Sequence, residues 1–291
     1  MRVLFFILVS VVLFSCAGSE TLQDAVVRAA SGYDATVGVS VHVENGPSIA
    51  VNDSVRYPIM SVFKFHVASA ALKTLERAGL PLDAEVTLSR RQLPPATYSP
   101  LRDAHPEGDV LTSYRELVEY AVALSDNNAC DALIDLAGGI DSVSAFVRNI
   151  GIDGFDLTQT EKSMHENPNR CYDNWSHPSS MTAMLEKIYA SDVLCHEHRD
   201  FLCAVMESTT TGPDKLRAGV PPHLTLGHKT GHSDRWPDGV KAGDADAGVV
   251  TLPDGRRLYI AVFIRDSRES DAVNAAIIAD VAAAACRCML R

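Results

Sequence analysis

Basic residues are scarce in this chain: 26 Lys and Arg stand against 37 Asp and Glu, a net charge of −11 over 291 residues. A nucleic-acid backbone demands a basic face, so this balance excludes nucleic acid as an expected partner. Internal repeats and low-complexity tracts are absent, which sets aside solenoid and disordered architectures. The apolar run from Val3 to Phe14 is too short for a comfortable membrane span. What remains, 46% hydrophobic and 22% charged residues, suffices for one large domain or two interleaved ones.

The first residues, "MRVLFFILVSVVLFSCAGSE", place one early charge, Arg2, before an apolar run and then small residues. That is the layout of a secretory signal, here assigned to residues 1–16. Cys16, after Leu13-Phe14-Ser15, resembles the attachment cysteine of a bacterial lipoprotein, although Phe14 is an unusual neighbour and cleavage near Ala17 is the alternative. An exported, periplasmic chain follows, anchored through Cys16 if that cysteine carries lipid. Six cysteines lie beyond it, and a core of this size needs no disulfide. Cys195 and Cys203 pair only if the chain between them closes a helical turn and a loop.

Periodicity then organises the chain. "LQDAVVRAASG" has helical spacing and "TVGVSVHVE" alternates as a half-buried strand does. Helical text runs from Ser61 to Glu76 and from Ser113 to Arg148, punctuated by Gly138-Gly139, and resumes at "PSSMTAMLEKIYAS". A polar stretch over 153–177 reads as a long ordered loop. At the end come the short run "LTLGHKTG", a hairpin turning at Pro253-Asp254-Gly255 and an Ala-rich helix. The expected class is therefore α/β of the α+β type. Segments 17–60 and 207–291 form one α/β region, and 61–206 form an inserted helical region.

Three short motifs carry chemistry. Ser61 and Lys64 are three apart at a helix start, so both fall on one face; an amine lowered in pKa by apolar surroundings can take the serine proton. Taken alone, a packed helix explains them better. Ser125-Asp126-Asn127 offers a hydroxyl, an anchoring carboxylate and an amide, yet it also reads as a helix cap. Lys229-Thr230-Gly231 offers a cation, a hydroxyl and a close backbone approach, or merely an edge strand entering a turn. Cys130, Asp131 and His66 read as packing residues. "CHEHRDFLC" gathers Cys195, His196, His198 and Cys203 in a spacing that fits no standard zinc pattern, so no metal site is expected.

The order S-x-x-K, S-D-N, K-T-G is the motif set of class A β-lactamases and penicillin-binding proteins. Over essentially the whole mature chain the sequence resembles the class A serine β-lactamases. The resemblance implies an antiparallel five-stranded sheet with flanking helices and an inserted all-helical region. It also implies a monomer needing no cofactor, a small-molecule β-lactam substrate, and attack by Ser61 with Lys64, or Glu161 through a water, as base. Ser125 would pass a proton to the departing nitrogen, Lys229 would supply positive field, and the backbone N–H groups of Ser61 and His232 would form the oxyanion hole. Glu161, in "TEKSMHENP", matches the glutamate that activates the deacylating water.

Where the family usually has an asparagine to help hold that water, this chain has His165. That substitution resembles the cephalosporin-hydrolysing branch, some of whose members act on extended-spectrum cephalosporins. Tyr98 matches an aromatic gatekeeper, and Asn127, Thr230, Gly231 and His232 match substrate-binding positions. The arginine that commonly reads the substrate carboxylate is missing from "GDADAGVV". Arg217, Arg235 and Arg265 are candidates to replace it, as are Thr230 and Ser233 without any arginine. A D,D-peptidase that retains its acyl-enzyme is the alternative function, disfavoured by Glu161. For the leader, we expect a mature chain that begins with diacylglyceryl-modified Cys16; intact-mass measurement of a mature N-terminus beyond Cys16 refutes lipidation.

Overall fold

A computed structural model describes residues 21–290; the leader and Cys16 lie outside the described residues. Ten strands are present: β1 Thr36–Val43, β2 Ser48–Val51, β3 Tyr57–Pro58, β4 Glu85–Leu88, β5 Val110–Ser113, β6 Phe155–Asp156, β7 Trp175–Ser176, β8 Leu226–His232, β9 Lys241–Thr251 and β10 Arg257–Ser267. The helices are α1 Leu22–Ala29, α2 Lys64–Ala78, α3 Pro100–Ala104, α4 Tyr114–Val122, α5 Asn127–Leu136 and α6 Ile140–Asn149. Beyond them come α7 Glu161–Glu166, α8 Pro178–Ala190, α9 His196–Glu207, α10 Leu216–Gly219 and α11 Asp271–Met289.

The expected five-stranded sheet forms in the order β2-β1-β10-β9-β8, with every pairing antiparallel. Its first two strands come from the start of the described chain and its last three from the end. The hairpin at Pro253-Asp254-Gly255 closes through Gly255 N–H to the Leu252 carbonyl, with Gly255 at φ 86°, a conformation glycine adopts without steric cost.

Strand β1 departs from the half-buried expectation, because both of its faces are covered. Val37, Val39, Val41 and Val43 pack with Leu258, Ile260 and Val262 of β10 against Ile277, Ile278 and Val281 of α11. The alternate residues meet the other layer: Ser40 Oγ lies 2.8 Å from Thr182 Oγ1 of α8, and His42 Nε2 lies 3.1 Å from Glu186. The period of two thus separates two interfaces, one apolar and one made of small and polar groups. Among the described residues α11 is the one helix apolar and long enough to cross a membrane by composition. Here its apolar side chains cover the sheet instead, each buried Ile or Val contributing roughly 1.5–3 kcal/mol.

On the sheet's second face lies the helical region, built around α2. This helix is buried along most of its length and ends at Gly79 in the left-handed conformation, φ 65°. The all-helical expectation for this region is corrected by short strands within it. β4 pairs with β5, and β6 pairs with β7, which in turn pairs with β3. Strands of two to four residues carry too little periodicity to be read from sequence. The β6–β7 pairing, Phe155 opposite Ser176 and Asp156 opposite Trp175, closes the ends of the polar loop. Inside that loop stand α7 and a 3₁₀ turn, Pro168–Asp173.

Gly38 of β1 is the close-contact point between the layers. A Cβ there would lie 2.4 Å from the Tyr57 ring, which is fully buried. Gly38→Ala is expected to destabilise the fold by about 1–3 kcal/mol through overpacking, read as a lowered denaturant midpoint with unchanged slope.

Candidate active site

The chain reaches α2 through a 3₁₀ turn, Met60–Phe63, that follows directly on β3. Met60 holds φ 46°, a left-handed conformation that costs a non-glycine residue about 1 kcal/mol or more. The sheet edge fixes this bend. A Cβ on Gly231 of β8 would sit 2.8 Å from both the Ser61 nitrogen and the Ile59 carbonyl, and one on Gly243 of β9 would sit 2.9 Å from the Pro58 carbonyl. Glycine at both positions lets the strands touch the backbone that carries Ser61.

Lys64 opens α2 and is fully buried, although a cation there forfeits its hydration. Its Nζ donates to the Ser125 carbonyl at 2.7 Å and Asn127 Oδ1 at 2.6 Å, and lies 3.0 Å from Glu161 Oε1. Ser125 also has a left-handed backbone, φ 60°, which turns its carbonyl to Lys64 while its Oγ accepts from Lys229 Nζ at 2.9 Å. Burial, and then the charge of Lys64, push the Lys229 ammonium well below its ordinary pKa, while Asp246 and Glu161 act in the opposite sense. Ser125 therefore stands between two buried amines.

The second motif does form a helix cap, and Ser125 and Asn127 also line the cleft. Asp126 caps α5 through Ala129 N–H at 2.9 Å. The same carboxylate accepts from Leu101 N–H at 2.7 Å and from the Ser99 hydroxyl, tying α3 to the site. Asn127, the next residue, spends its amide donor on Thr97 Oγ1 at 2.7 Å.

Glu161 is the first residue of α7, whose N-terminus is capped by Thr160. Asp131 adds a second restraint: its carboxylate accepts Glu161 N–H at 2.8 Å and Lys162 N–H at 2.9 Å. The expectation that Asp131 merely packs is thus corrected. It lies one helical turn after Asn127 on α5, a spacing that could have flagged it. Burial, and then the Glu161 charge, push its carboxyl up to about 7. Asn174 clamps the same loop, accepting from Thr158 and Gln159 N–H at 2.9 Å each and donating to the Gln159 carbonyl. Cys130 and His66 do pack as expected, fully buried or nearly so; burial pushes the His66 imidazole down to about 4.

Between these elements opens a cleft of about 750 Å³. Ser61, Tyr98, Ser125, Asn127, Glu161, His165, Thr230, Gly231 and His232 all line it, while Lys64 and Lys229 lie buried beneath. Tyr98 stands 59% exposed at the rim. His165 follows Glu161 by four positions on α7 and so shares its face. Burial, and then Lys215 and Lys241, push the His232 imidazole below its ordinary pKa. Thr211, which the sequence reading passed over, joins the wall with its hydroxyl 2.7 Å from that of Thr230.

None of the three candidate arginines reaches this cleft. Arg217 donates to the Val220 and Pro221 carbonyls, Arg235 to Gly239, Glu269 and Asp271, and Arg265 to Arg56 and Asp266. Thr230 and Ser233 do line it. The condition for pairing Cys195 with Cys203 is not met. The intervening chain is helix, eight residues along α9 rise about 12 Å, and both thiols are free.

The sequence profile of the β-lactamase enzyme family matches residues 19–288. The chain belongs to this family, in class A. It is 42% identical over 277 residues to a β-lactamase of Bacteroides uniformis, covering 92% of this chain and 94% of that one. It is 34% identical to the extended-spectrum β-lactamase PER-1 of Pseudomonas aeruginosa, covering 91% of this chain and 86% of that one. Two solved structures superpose closely. One is a class A β-lactamase of Bacteroides cellulosilyticus, with TM-score 0.89, 39% identity, and 93% and 99% of the two chains covered. The other is TLA-3 extended-spectrum β-lactamase, with TM-score 0.91, 34% identity, and 94% and 100% covered. The β-lactamase is thus a hydrolase of the β-lactam ring, and the D,D-peptidase alternative finds no support among these relatives.

The Asp131 carboxyl gives this β-lactamase a predictable pH response. At about 7 in the fold against an ordinary value near 4, it keeps a proton that the unfolded chain has lost between those two pH values. Stability therefore falls as pH rises through that window, by at most about 1.4 kcal/mol per unit. Asp131→Asn removes this component. The stability of the parent relative to the variant is expected to fall between about pH 5 and about pH 7, read as the difference between their denaturant midpoints at each pH, and a difference that does not change with pH excludes the assignment.

Proposed function

We propose that Ser61 is the residue acylated by the lactam carbonyl and that Glu161 activates the water that releases the acyl group. One observation carries this reading. Glu161 lines the same cleft as Ser61 and His165, and its Oε1 is ion-paired with Lys64 Nζ at 3.0 Å. Lys64 Nζ also donates to the Ser125 carbonyl and Asn127 Oδ1, which fixes the carboxylate beside the serine. A carboxylate held at the wall of an open cleft is placed to accept a hydrogen bond from entering water and to take its proton.

The acceptors around Lys64 suit an ammonium, which favours Glu161 acting through water as the base for acylation as well. Backbone N–H groups at Ser61 and His232 are the proposed oxyanion donors, supported by the close approach of β8 to the Ser61 nitrogen. Ser125, bonded to Lys229, is the proposed donor to the departing nitrogen. Lys229 supplies positive field, while Thr230, Thr211 and Ser233 offer hydroxyls to the substrate carboxylate. The scheme uses no cofactor.

Extended-spectrum cephalosporins are the proposed substrates, with penicillins beside them. PER-1 and TLA-3, both named as extended-spectrum enzymes, are among the relatives, and His165 stands where an asparagine is usual. The cleft's exposed Tyr98 rim and 750 Å³ volume suit a bulky acyl side chain. Export to the periplasm as a monomer, with or without a lipid on Cys16, completes the proposal.

Purified enzyme is expected to hydrolyse a chromogenic cephalosporin, and Ser61→Ala to lower kcat by roughly 10⁴-fold or more. Glu161→Ala is expected to accumulate a covalent adduct with the mass of the intact β-lactam. Deacylation of that variant at the parent rate would remove Glu161 from its assigned role.

A further inference from the structure

A second cluster of reactive side chains lies at the far end of α2 from Ser61. Cys195 is the N-cap of α9 and His198 the third residue of that helix, so their spacing of three puts both on one face. A third ligand comes from elsewhere in the chain. The fold brings one from 119 positions away: Glu76, in the last turn of α2, accepts the Cys195 N–H at Oε1 at 2.6 Å. His198 Nδ1 lies 3.4 Å from the same oxygen, and the Leu72 carbonyl, 3.2 Å from Nδ1, helps fix the ring.

We propose that Glu76, Cys195 and His198 form a binding site for a thiophilic divalent cation of the zinc class. One ligand atom from each residue falls within 4.8 Å of the others. Metal–ligand bonds of about 2.0–2.3 Å in tetrahedral array separate ligand atoms by about 3.5 Å, so small side-chain shifts complete the geometry. Thiolate, imidazole and carboxylate together are a donor set that zinc accepts and that magnesium and calcium do not favour.

The surroundings fit a bound ion. Glu76 accepts from Lys73 Nζ through Oε2 at 2.7 Å, which leaves Oε1 directed toward Cys195 and His198. His198 is only 5% exposed, whereas Cys195 is exposed, so an ion enters from the thiol side. A cavity of about 440 Å³ adjoins the three ligands and is also lined by Glu197, leaving the fourth position to that carboxylate or to water. Binding releases the thiol proton and ties the end of α2 to the start of α9. The ion would brace the scaffold without entering the β-lactam cleft, whose lining includes none of the three ligands.

The test uses the purified mature chain, stripped of metal with a chelator and titrated with Co²⁺ and with Zn²⁺. The expected result is a thiolate-to-cobalt charge-transfer band that saturates at a single equivalent, and a thermal midpoint that rises on adding zinc. Cys195→Ser, at an exposed position, is expected to abolish the band and weaken zinc binding by about 10-fold or more while leaving cephalosporin hydrolysis unchanged. Glu76→Gln is expected to weaken zinc binding as well. His196→Asn, at the neighbouring exposed histidine, is expected to leave both signals intact. A parent protein with no charge-transfer band, or zinc binding equal in parent and Cys195→Ser, overturns the proposal.

Discussion

The withdrawal of two lysine amines from water is the constraint around which this site is organised. Lys64 and Lys229 are both fully buried, and the charge of Lys64 disfavours that of Lys229. An ammonium loses several kcal/mol of hydration on burial, and removing a partner from such a pair costs about 3–5 kcal/mol. The structure answers with a dense set of acceptors. Ser125 presents its carbonyl to Lys64 and its hydroxyl to Lys229, Asn127 presents Oδ1 to Lys64, and Glu161 adds a full negative charge. The second and third motifs are therefore as much the electrostatic support of the first as they are substrate contacts. Ser61 is surrounded by groups whose charges hold one another in place.

That arrangement needs backbone conformations that side-chain-bearing residues resist. Met60 and Ser125 both take positive φ, one directly before Ser61 and one directly at the bridge between the lysines. Strained residues persist where the surroundings over-determine them. Here the surroundings are identifiable: Gly231 and Gly243 let two strands lie against the Met60 bend, and Asp126 pins the chain just after Ser125 to α3 and α5. Part of the packing energy of the sheet and helices is thereby held as local geometry at the reacting centre.

The sequence made the long elements legible because their burial has a period. α2, α4, α5, α6, α8 and α11 follow the helical text, and the sheet draws its strands from the two ends as read. Ser61, Lys64, Ser125 and Lys229 could be grouped at one place only by motif order, since each has an ordinary structural reading when taken singly. Illegible features depended on distant partners. Asp131 looks like one more polar residue on α5 until α7 places two N–H groups above it. Glu76 looks like a surface residue of α2 until α9 docks beside it. Strand β1 read as half-buried because alternation reports two different faces and says nothing of whether the second faces water or another layer.

Where the arginine is missing, β9 carries two buried carboxylates. Asp244 pairs with Lys215 at 2.5 Å and Lys241 at 3.1 Å, and Asp246 lies 3.0 Å from the His228 imidazole. Thr230 is opposite Asp246 in the sheet register, so this carboxylate sits beneath the strand that carries Lys229 and opposes the loss of its charge. In the proposed scheme the positive field for an anionic substrate comes from the buried lysine itself, beside Ser125 and Thr230, with hydroxyl groups in place of an arginine fork. Such a field is set by burial and by Asp246 together: without the carboxylate the lysine loses its counter-charge, and without burial the field is spent on solvent.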